Sequence, residues 1–280
     1  MLRPFGPENA TEILQLLEEG FPERGRAFWE KAIARLFAWP GNRELDYPPG
    51  FFWIDKNEPV GIILTPASPR MNGGETLRPI VNVSSWYVRE THRWKAPLML
   101  RALFRDERVI FTDLTPTPDV QKMLPSFGFV PASGGIEWIG TPFMAFRASA
   151  ARLRRWNPGE ALAAGAPPDA LIAEHVAWGC MALVLEQGSS RHLLVLKPIR
   201  MRGLPGARIL FAGSRAALEA GLPALARFML ARGTLLLRID ARPEGRRGQG
   251  YRPHGIWFAR GDSFPDRTDH FGSELALFDF

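Results

Sequence analysis

One cysteine among 280 residues, Cys180, rules out an internal disulfide. Its neighbours are apolar, a context in which a free thiol packs as a small hydrophobe rather than acting as a nucleophile. No run of about 18 apolar residues occurs, so no transmembrane helix is expected. The opening Met1-Leu2-Arg3-Pro4-Phe5-Gly6-Pro7 lacks the apolar core of a signal peptide, which points to the cytoplasm. Zinc-ligand spacing, a DNA-recognition helix and an aromatic RNA-binding motif are missing as well. No metal site is expected, and nucleic-acid binding is disfavoured despite a net charge of +6 and a pI near 10. Most of that charge is arginine spread along the chain rather than gathered in one stretch.

What is present is the composition of a soluble globular protein, 46% apolar and 23% charged. The length suffices for one large core or two ordinary ones.

The most informative stretch is Ile80 to Leu103. Val81, Val83 and Trp86-Tyr87-Val88 are residues that fill a pleated, half-buried strand. Seven polar and basic residues follow, Arg89 to Lys95. A helix then begins, with Pro97 near its first turn and Leu98, Leu100, Ala102 and Leu103 apolar. A strand, a basic loop and a helix N-terminus together form an anion site: unpaired first-turn amides, the helix dipole and nearby cations converge. The expectation is a pyrophosphate cradle, with Arg89, His92, Arg93 and Lys95 as phosphate ligands. A solvated basic loop is the plainer alternative.

Around this stretch the patterning predicts helices over Glu8–Gly20 and Arg26–Ala38. Strands Gly50–Ile54 and Val60–Leu64 follow as a hairpin, then a wide loop over Pro66–Gly74. A strand at Arg108–Leu114 directly after the helix makes a parallel βαβ unit. A short helix over Val120–Phe127 leads to a closing pair of strands, Ile136–Ile139 and Phe143–Phe146.

This order resembles the GNAT superfamily of acyl-CoA-dependent N-acyltransferases. Val88 to Leu100 sits where that superfamily keeps its Arg-x-x-Gly-x-Gly/Ala pyrophosphate loop. Leu124-Pro125-Ser126-Phe127-Gly128-Phe129 is similar to its Tyr-x-x-x-Gly-Phe ending. Both are altered: Arg93 falls on the arginine position, but Trp94 and Ala96 stand where glycines are usual. Leu124 takes the place of the tyrosine that often protonates the departing thiolate.

Residues 148–168 read as a linker, and the chain beyond them repeats the outline. A helix is expected over Asp169–Trp178, a hairpin over Cys180–Leu185 and His192–Leu196, and a strand at Arg208–Phe211. A helix over Arg215–Ala231, disturbed by Pro223, and a strand at Thr234–Asp240 complete the repeat. Leu236–Pro243 echoes Ile110–Pro116. Arg246-Arg247-Gly248-Gln249-Gly250-Tyr251 superficially resembles the pyrophosphate loop but follows the wrong strand and reads as a turn. The expectation is therefore a mixed α/β (α+β) protein of two GNAT-like halves, each a central mixed β-sheet flanked by helices. Residues 1–147 would form the acyl-CoA-binding domain and 169–280 a degenerate second domain.

The resemblance implies acetyl-CoA or another acyl-CoA as a substrate, an amine acceptor of unknown identity, and no metal. The backbone around Trp86-Tyr87-Val88 would hold the thioester and pantetheine, and the full phosphate-side set is Trp86, Val88, Arg89, His92, Arg93, Trp94, Lys95 and Ala96. For the base, Asp113 ends a strand at a switch point, although it can equally cap the Thr115–Asp119 turn. Glu90 opens the loop, and Ser84 or Ser85 could relay through water. Tyr87 or Tyr47 are substitutes for the missing acid. Two rival readings stand beside acyl transfer. One is an aminoacyl or peptidyl transferase of the double-GNAT type using charged tRNA; the other is a non-catalytic sensor that keeps the fold. Whether the halves pair within one chain or across a homodimer is open.

Overall fold

The computed structural model describes residues 1–72, 75–244, 248, 250–261 and 267–278, with backbone alone for 71, 72 and 75–77. The 246–251 stretch read as a turn includes 246, 247 and 249, which lie outside the described residues. No described helix is long and apolar enough to cross a membrane.

The chain begins with a short strand, β1 (Leu2–Pro4), and two helices, α1 (Ala10–Gly20) and α2 (Arg26–Ala38). The apolar positions of both helices recur at helical spacing, so Ile13, Leu14, Leu16, Leu17, Trp29, Ile33 and Leu36 are all buried. After a turn of helix, α3 (Pro40–Glu44), come the expected hairpin strands β2 (Gly50–Asp55) and β3 (Glu58–Leu64). The stretch expected as a wide loop is instead a strand, β4 (Ala67–Asn72), paired antiparallel with β5 (Glu75–Asn82). What the hydropathy pattern hides is Arg70, a charged residue completely buried in β4 because it is paired elsewhere in the core.

The predicted long strand of the opening motif is broken at Val83. β5 pairs in parallel with β7 (Ile110–Asp113), ending at Asn82 opposite Thr112. One more bond, from the Val83 amide to the Thr112 carbonyl at 2.7 Å, closes that ladder. The next segment, β6 (Ser84–Val88), turns away and pairs only with β3. Ser85 has φ +46°, uncommon for a residue with a side chain, and sits at the bend. Between β5 and β7 in sequence runs α4 (Ala96–Leu103); after β7 come α5 (Pro118–Met123), a 3₁₀ turn and the short strand β8 (Val130–Pro131).

Of the expected closing pair of strands only the first forms. Gly135–Gly140 is a strand, β9, but the residues after it form a helix, α6 (Thr141–Ala145), opened by Pro142 at a position where its missing N–H costs nothing. β9 finds its partners in the second half of the chain.

There, Arg152–Arg155 of the expected linker forms β10. α7 (Asp169–Ala177), β11 (Met181–Gln187), β12 (Ser190–Met201), β13 (Leu204–Ala212), α8 (Arg215–Leu230) and β14 (Leu236–Ala241) then reproduce the helix–hairpin–strand–helix–strand order of the first half. Pro223 lies inside α8, buried on its core face. Cys180, as expected, is a buried packing residue, and burial pushes its thiol up to about 11.

The halves are locked by an exchange of strands. β9 inserts beside β14, with β15 (Tyr251–Arg252) on its other side. Reciprocally β16 (Phe258–Arg260), late in the chain, inserts between β7 and β8 of the first half. Each sheet is thus completed by a strand from the other half of the sequence. The chain then returns through β17 (Thr268–Asp269), which pairs with β13, and ends in a single helical turn, α9 (Glu274–Leu277).

Candidate active site

The divergence of β6 from β7 leaves a V-shaped opening whose β7-facing backbone at Ser84–Tyr87 has no neighbouring strand. A cleft of about 480 Å³ occupies it. Val83–Trp86 form one wall, Asp113 and Thr115–Thr117 the other, and Trp29, Arg208, Arg238 and Glu274 reach in from the rest of the fold. Of the residues expected at the site, Asp113, Ser85 and Trp86 are brought together here.

Two carboxyl groups meet in this cleft, and both are held protonated more readily than usual. Burial pushes Asp113 well above its ordinary range, repulsion from Glu274 pushes it further, and the Thr115 amide opposes them. Burial likewise raises Glu274, against hydrogen bonds donated by the Ser84 and Thr115 hydroxyls. A carboxyl whose proton affinity is raised by burial and by a neighbouring carboxylate is suited to keep its proton where an ordinary aspartate would lose it. Three donors around the cleft, the Trp29 and Trp86 indole N–H groups and Arg238 Nε, are buried without a hydrogen-bond partner among the described residues. Buried unpaired donors are costly, and they mark places where a ligand oxygen would be welcome.

Glu274 was not foreseen, because it lies some 160 residues beyond Asp113 and its local sequence, Ser-Glu-Leu-Ala-Leu, reads as an ordinary helix start. It is placed by the final segment of the chain, which is clamped along its length. Asp269 takes a two-pronged ion pair from Arg70, with Nε to Oδ2 at 2.9 Å. His175, stacked on Phe271 at 3.8 Å, accepts the Gly272 amide at Nε2 and faces the Leu171 carbonyl through Nδ1; burial holds it neutral, with its pKa down to about 3. Asn82 accepts the Glu274 amide at 3.1 Å, and Lys197 donates to the Leu275 and Phe278 carbonyls at 3.0 and 2.9 Å.

The basic loop is arranged differently from the expected cradle. Glu90–Lys95 is a 3₁₀ helix that runs straight into α4, with the His92 amide bonded to the Arg89 carbonyl and the Ala96 amide to that of Arg93. Those two amides are therefore occupied. Arg89 makes a paired contact with Glu19 at 2.8 and 3.0 Å. Lys95 lies 2.7 Å from Asp55 and His92 3.2 Å from the same carboxylate. Asp55 is consequently held below the usual carboxylate range, chiefly by Lys95. Arg93 and Trp94 project into solvent, 4.0 Å from Glu90 and stacked over Lys95 respectively. Val88 is a core residue and Ala96 is half-buried beneath it.

Tyr87 points away from the cleft and lies against α1, where a Cβ on Gly20 would come within 2.5 Å of its ring. Tyr47 is buried in the core of the first half, and burial raises its phenol far above the ordinary value. Leu124, at the place of the superfamily's tyrosine, is fully buried.

A strand that splays at its midpoint beside a parallel neighbour, preceded by two helices and a hairpin and followed by a helix, is a distinctive arrangement. The chain has the fold of the GCN5-related N-acetyltransferases. Solved structures sharing it include a GCN5-related N-acetyltransferase from Anabaena variabilis (TM-score 0.59, 11% identity, covering 93% of this chain and 72% of that one). Another comes from Kribbella flavida (TM-score 0.55, 12% identity, 92% and 70%). A putative acetyltransferase from Pyrococcus horikoshii matches almost end to end (TM-score 0.54, 13% identity, 99% and 95%). No sequence-family model and no curated protein sequence matches the chain. At these identities the GCN5-related fold is what is shared, and the reactions of those proteins remain theirs.

Proposed function

We propose that the protein transfers an acyl group from an acyl-CoA to an amine, with the chemistry in the first-half cleft. The observation that carries this reading is the coincidence, in one opening, of unpaired β6 backbone and the Asp113–Glu274 carboxyl pair. The pantetheine arm would add to the free side of β6 as an extra strand, the mode by which extended ligands use sheet edges. The thioester carbonyl would then lie near the bend at Ser85, where backbone amides can stabilise the developing oxyanion. The amine nitrogen attacks the carbonyl carbon, and the C–N bond forms as the C–S bond breaks. Glu274 takes the proton from the nitrogen. Asp113, kept protonated by burial and by its neighbour, supplies a proton to the departing thiolate, a task for which Leu124 has no group to offer.

The thioester and pantetheine contacts fall on Trp86, with Ser85 at the bend. For the phosphates, Arg93 is the loop cation facing solvent, and Arg89, His92 and Lys95 would have to trade their carboxylate partners for the ligand. Leu124, buried and with no proton to give, favours a second reading, a protein that binds an acyl thioester without turning it over. The transferase reading is tested with acetyl-CoA and a panel of amines, following free thiol. Saturating acetyl-CoA should raise the melting temperature, through a stabilisation on the order of 2.7 kcal/mol at a hundredfold excess over Kd. Thiol release should then fall about 10²–10⁴-fold in Glu274→Gln while that stabilisation persists. Stabilisation without thiol release from any amine would leave the binding protein. No stabilisation by any CoA ester would remove both readings, and salt-sensitive binding of charged tRNA would revive the peptidyl transferase.

A further inference from the structure

Arg208 on β13 and Arg238 on β14 occupy matched positions on adjacent parallel strands. Their guanidinium groups therefore project side by side from one face. Both are largely withdrawn from water, and burial together with the charge of the other pushes Arg208 down to about 10. Two half-buried like charges on paired strand positions normally attract a carboxylate between them. Here neither has an ion-pair or hydrogen-bond partner among the described residues, and Arg238 Nε is an unsatisfied buried donor. Asp240 and Glu274 act on Arg208 only at a distance.

The two arginines are also a common wall. On one side they line the cleft that holds Asp113 and Glu274. On the other they line a second opening of about 400 Å³, completed by Arg200, Arg202, Arg252 and His254. No carboxylate lines that second opening among the described residues. The cleft thus has two carboxyl groups on one part of its wall and, on another, a guanidinium pair with no hydrogen-bonded counterion among the described residues, backed by more cations. Such a site is polarised to hold a molecule with an amine at one end and a multiply charged anion at the other. A single carboxylate would neutralise one of the arginines; a phosphate can take a fork from each.

We infer that the amine acceptor carries a phosphate group, bound between Arg208 and Arg238, which directs its amine toward Asp113 and Glu274. This deepens the acyl-transfer reading and rests on it for the word acceptor, although the phosphate site itself does not. The other source of phosphate is the coenzyme, and the experiment separates the two.

Calorimetry and thermal melts are run on the full chain with O-phosphoethanolamine, ethanolamine, glycine, inorganic pyrophosphate and acetyl-CoA. O-Phosphoethanolamine is expected to bind, and ethanolamine and glycine to bind at least about tenfold more weakly. Arg208→Gln and Arg238→Gln should each weaken O-phosphoethanolamine about ten- to a hundredfold, with acetyl-CoA affinity unchanged. Arg238→Lys should recover part of the loss. Arg238→Gln should melt no lower than wild type, since it relieves a half-buried charge with no hydrogen-bond or ion-pair partner; a lower melting temperature would mark that arginine as structural and overturn the inference. Equal binding of glycine and O-phosphoethanolamine would replace phosphate by carboxylate and overturn it too. Loss of acetyl-CoA affinity in the variants would assign the pair to the coenzyme and overturn the inference. Acetyl-CoA binding without any phosphate binding sinks the inference alone; phosphate binding without acetyl-CoA binding sinks the acyl-transfer reading and leaves the anion site.

Discussion

The two halves of the chain build the same junction and treat it in opposite ways. In the first, β5 and β7 run parallel as far as Thr112, then β6 swings off and the gap stays open as a cleft. In the second, β13 and β14 run parallel from Gly206 to Arg238, and beyond that point the gap is filled by the chain itself. β17 pairs with Phe211 and Ala212, and the His270 amide bonds to the Leu210 carbonyl at 2.7 Å. The strand-end aspartates follow suit. Asp113 faces an open cleft and a second carboxylate. Asp240, its counterpart, lies 2.9 Å from His270 Nε2 and accepts the Trp257 indole N–H at 3.0 Å. One half keeps a ligand-sized space, and the other uses its equivalent space to hold a tail that carries Glu274 into the first. A repeat that has given up its own site in this way supplies a side chain and a wall to its twin.

The most severe way to break this arrangement is to remove the tail. Phe271, Leu275, Leu277 and Phe278 are all essentially inaccessible to solvent. At about 1.5–3 kcal/mol for each buried side chain, ending the chain before residue 267 should cost on the order of 6–12 kcal/mol, comparable to the whole stability of a domain. Loss of a cooperative melt is the expected result. A truncated chain that still melts cooperatively, with its second half intact by hydrogen exchange, would mean that the tail fills nothing essential.

A narrower cut goes through Arg70 and Asp269, a completely buried pair that ties β4 of the first half to β17 of the tail. Asp269→Ala leaves a buried guanidinium facing Ser68, two carbonyls and no counterion from β17, and should cost about 3–5 kcal/mol by chemical denaturation. Combining it with Arg70→Met should return part of that, because one buried charge is removed with its partner, while Arg267, 3.1 Å from Asp269, still loses that carboxylate. If the double variant is as unstable as the single one, the pair is not what joins tail to sheet.

How far these relations can be read from the sequence depends on their range. Helices α1 and α2 and the hairpins β2–β3 and β11–β12 were legible because each is fixed by residues close in sequence, and the parallel βαβ unit and repeat outline followed from the order of such local elements. The wide loop expected at Pro66–Gly74 is a strand because Arg70 has a partner 199 residues away, which no local pattern reveals. The closing pair of strands failed for a related reason: β9 and β16 are exchanged, and hydropathy gives a strand its face but not its neighbour. At the site, Asp113, Ser85 and Trp86 were accessible to reasoning because the splay follows from one strand and its loop. The basic loop misled because charge was counted without its carboxylates; Asp55 and Glu19 come from other elements. Arg208 and Arg238 did leave a trace, an arginine inside each of two apolar runs, ARILFA and LLLRI, where burial of a charge asks for an explanation.

Turnover sharpens the contrast between the halves. Glu274→Gln should lower kcat about 10²–10⁴-fold with the fold retained, whereas Asp240→Asn should leave kcat within about threefold, since it touches no part of the cleft where charge moves. Comparable losses in both would show that the second half takes part in the chemistry. An unaffected Glu274→Gln would reduce the tail to a structural plug.

The smallest effect, and the most specific, lies in the pH dependence of stability at the two matched aspartates. Asp113 has its pKa raised in the folded protein, by burial and by Glu274. The native state then holds a proton that the unfolded chain releases above its ordinary value of 3.8. The stability this confers is complete below that value and is lost as pH rises through the folded pKa. Asp240 goes the other way: burial raises it, but its contacts with His270, Arg208 and the Trp257 indole N–H outweigh burial and leave it depressed. Its contribution is present above 3.8 and lost as pH falls through its lower folded value. Asp113→Asn should therefore gain stability relative to wild type as pH climbs from about 4 toward 8. Asp240→Asn, leaving His270 and Trp257 poorly matched, should be about 1–3 kcal/mol less stable at neutral pH and converge on wild type in acid. Denaturant titrations across that range would give two difference curves of opposite slope. Parallel curves would mean that the two strand ends share an environment, and the division between an open half and a closed one would fail with them.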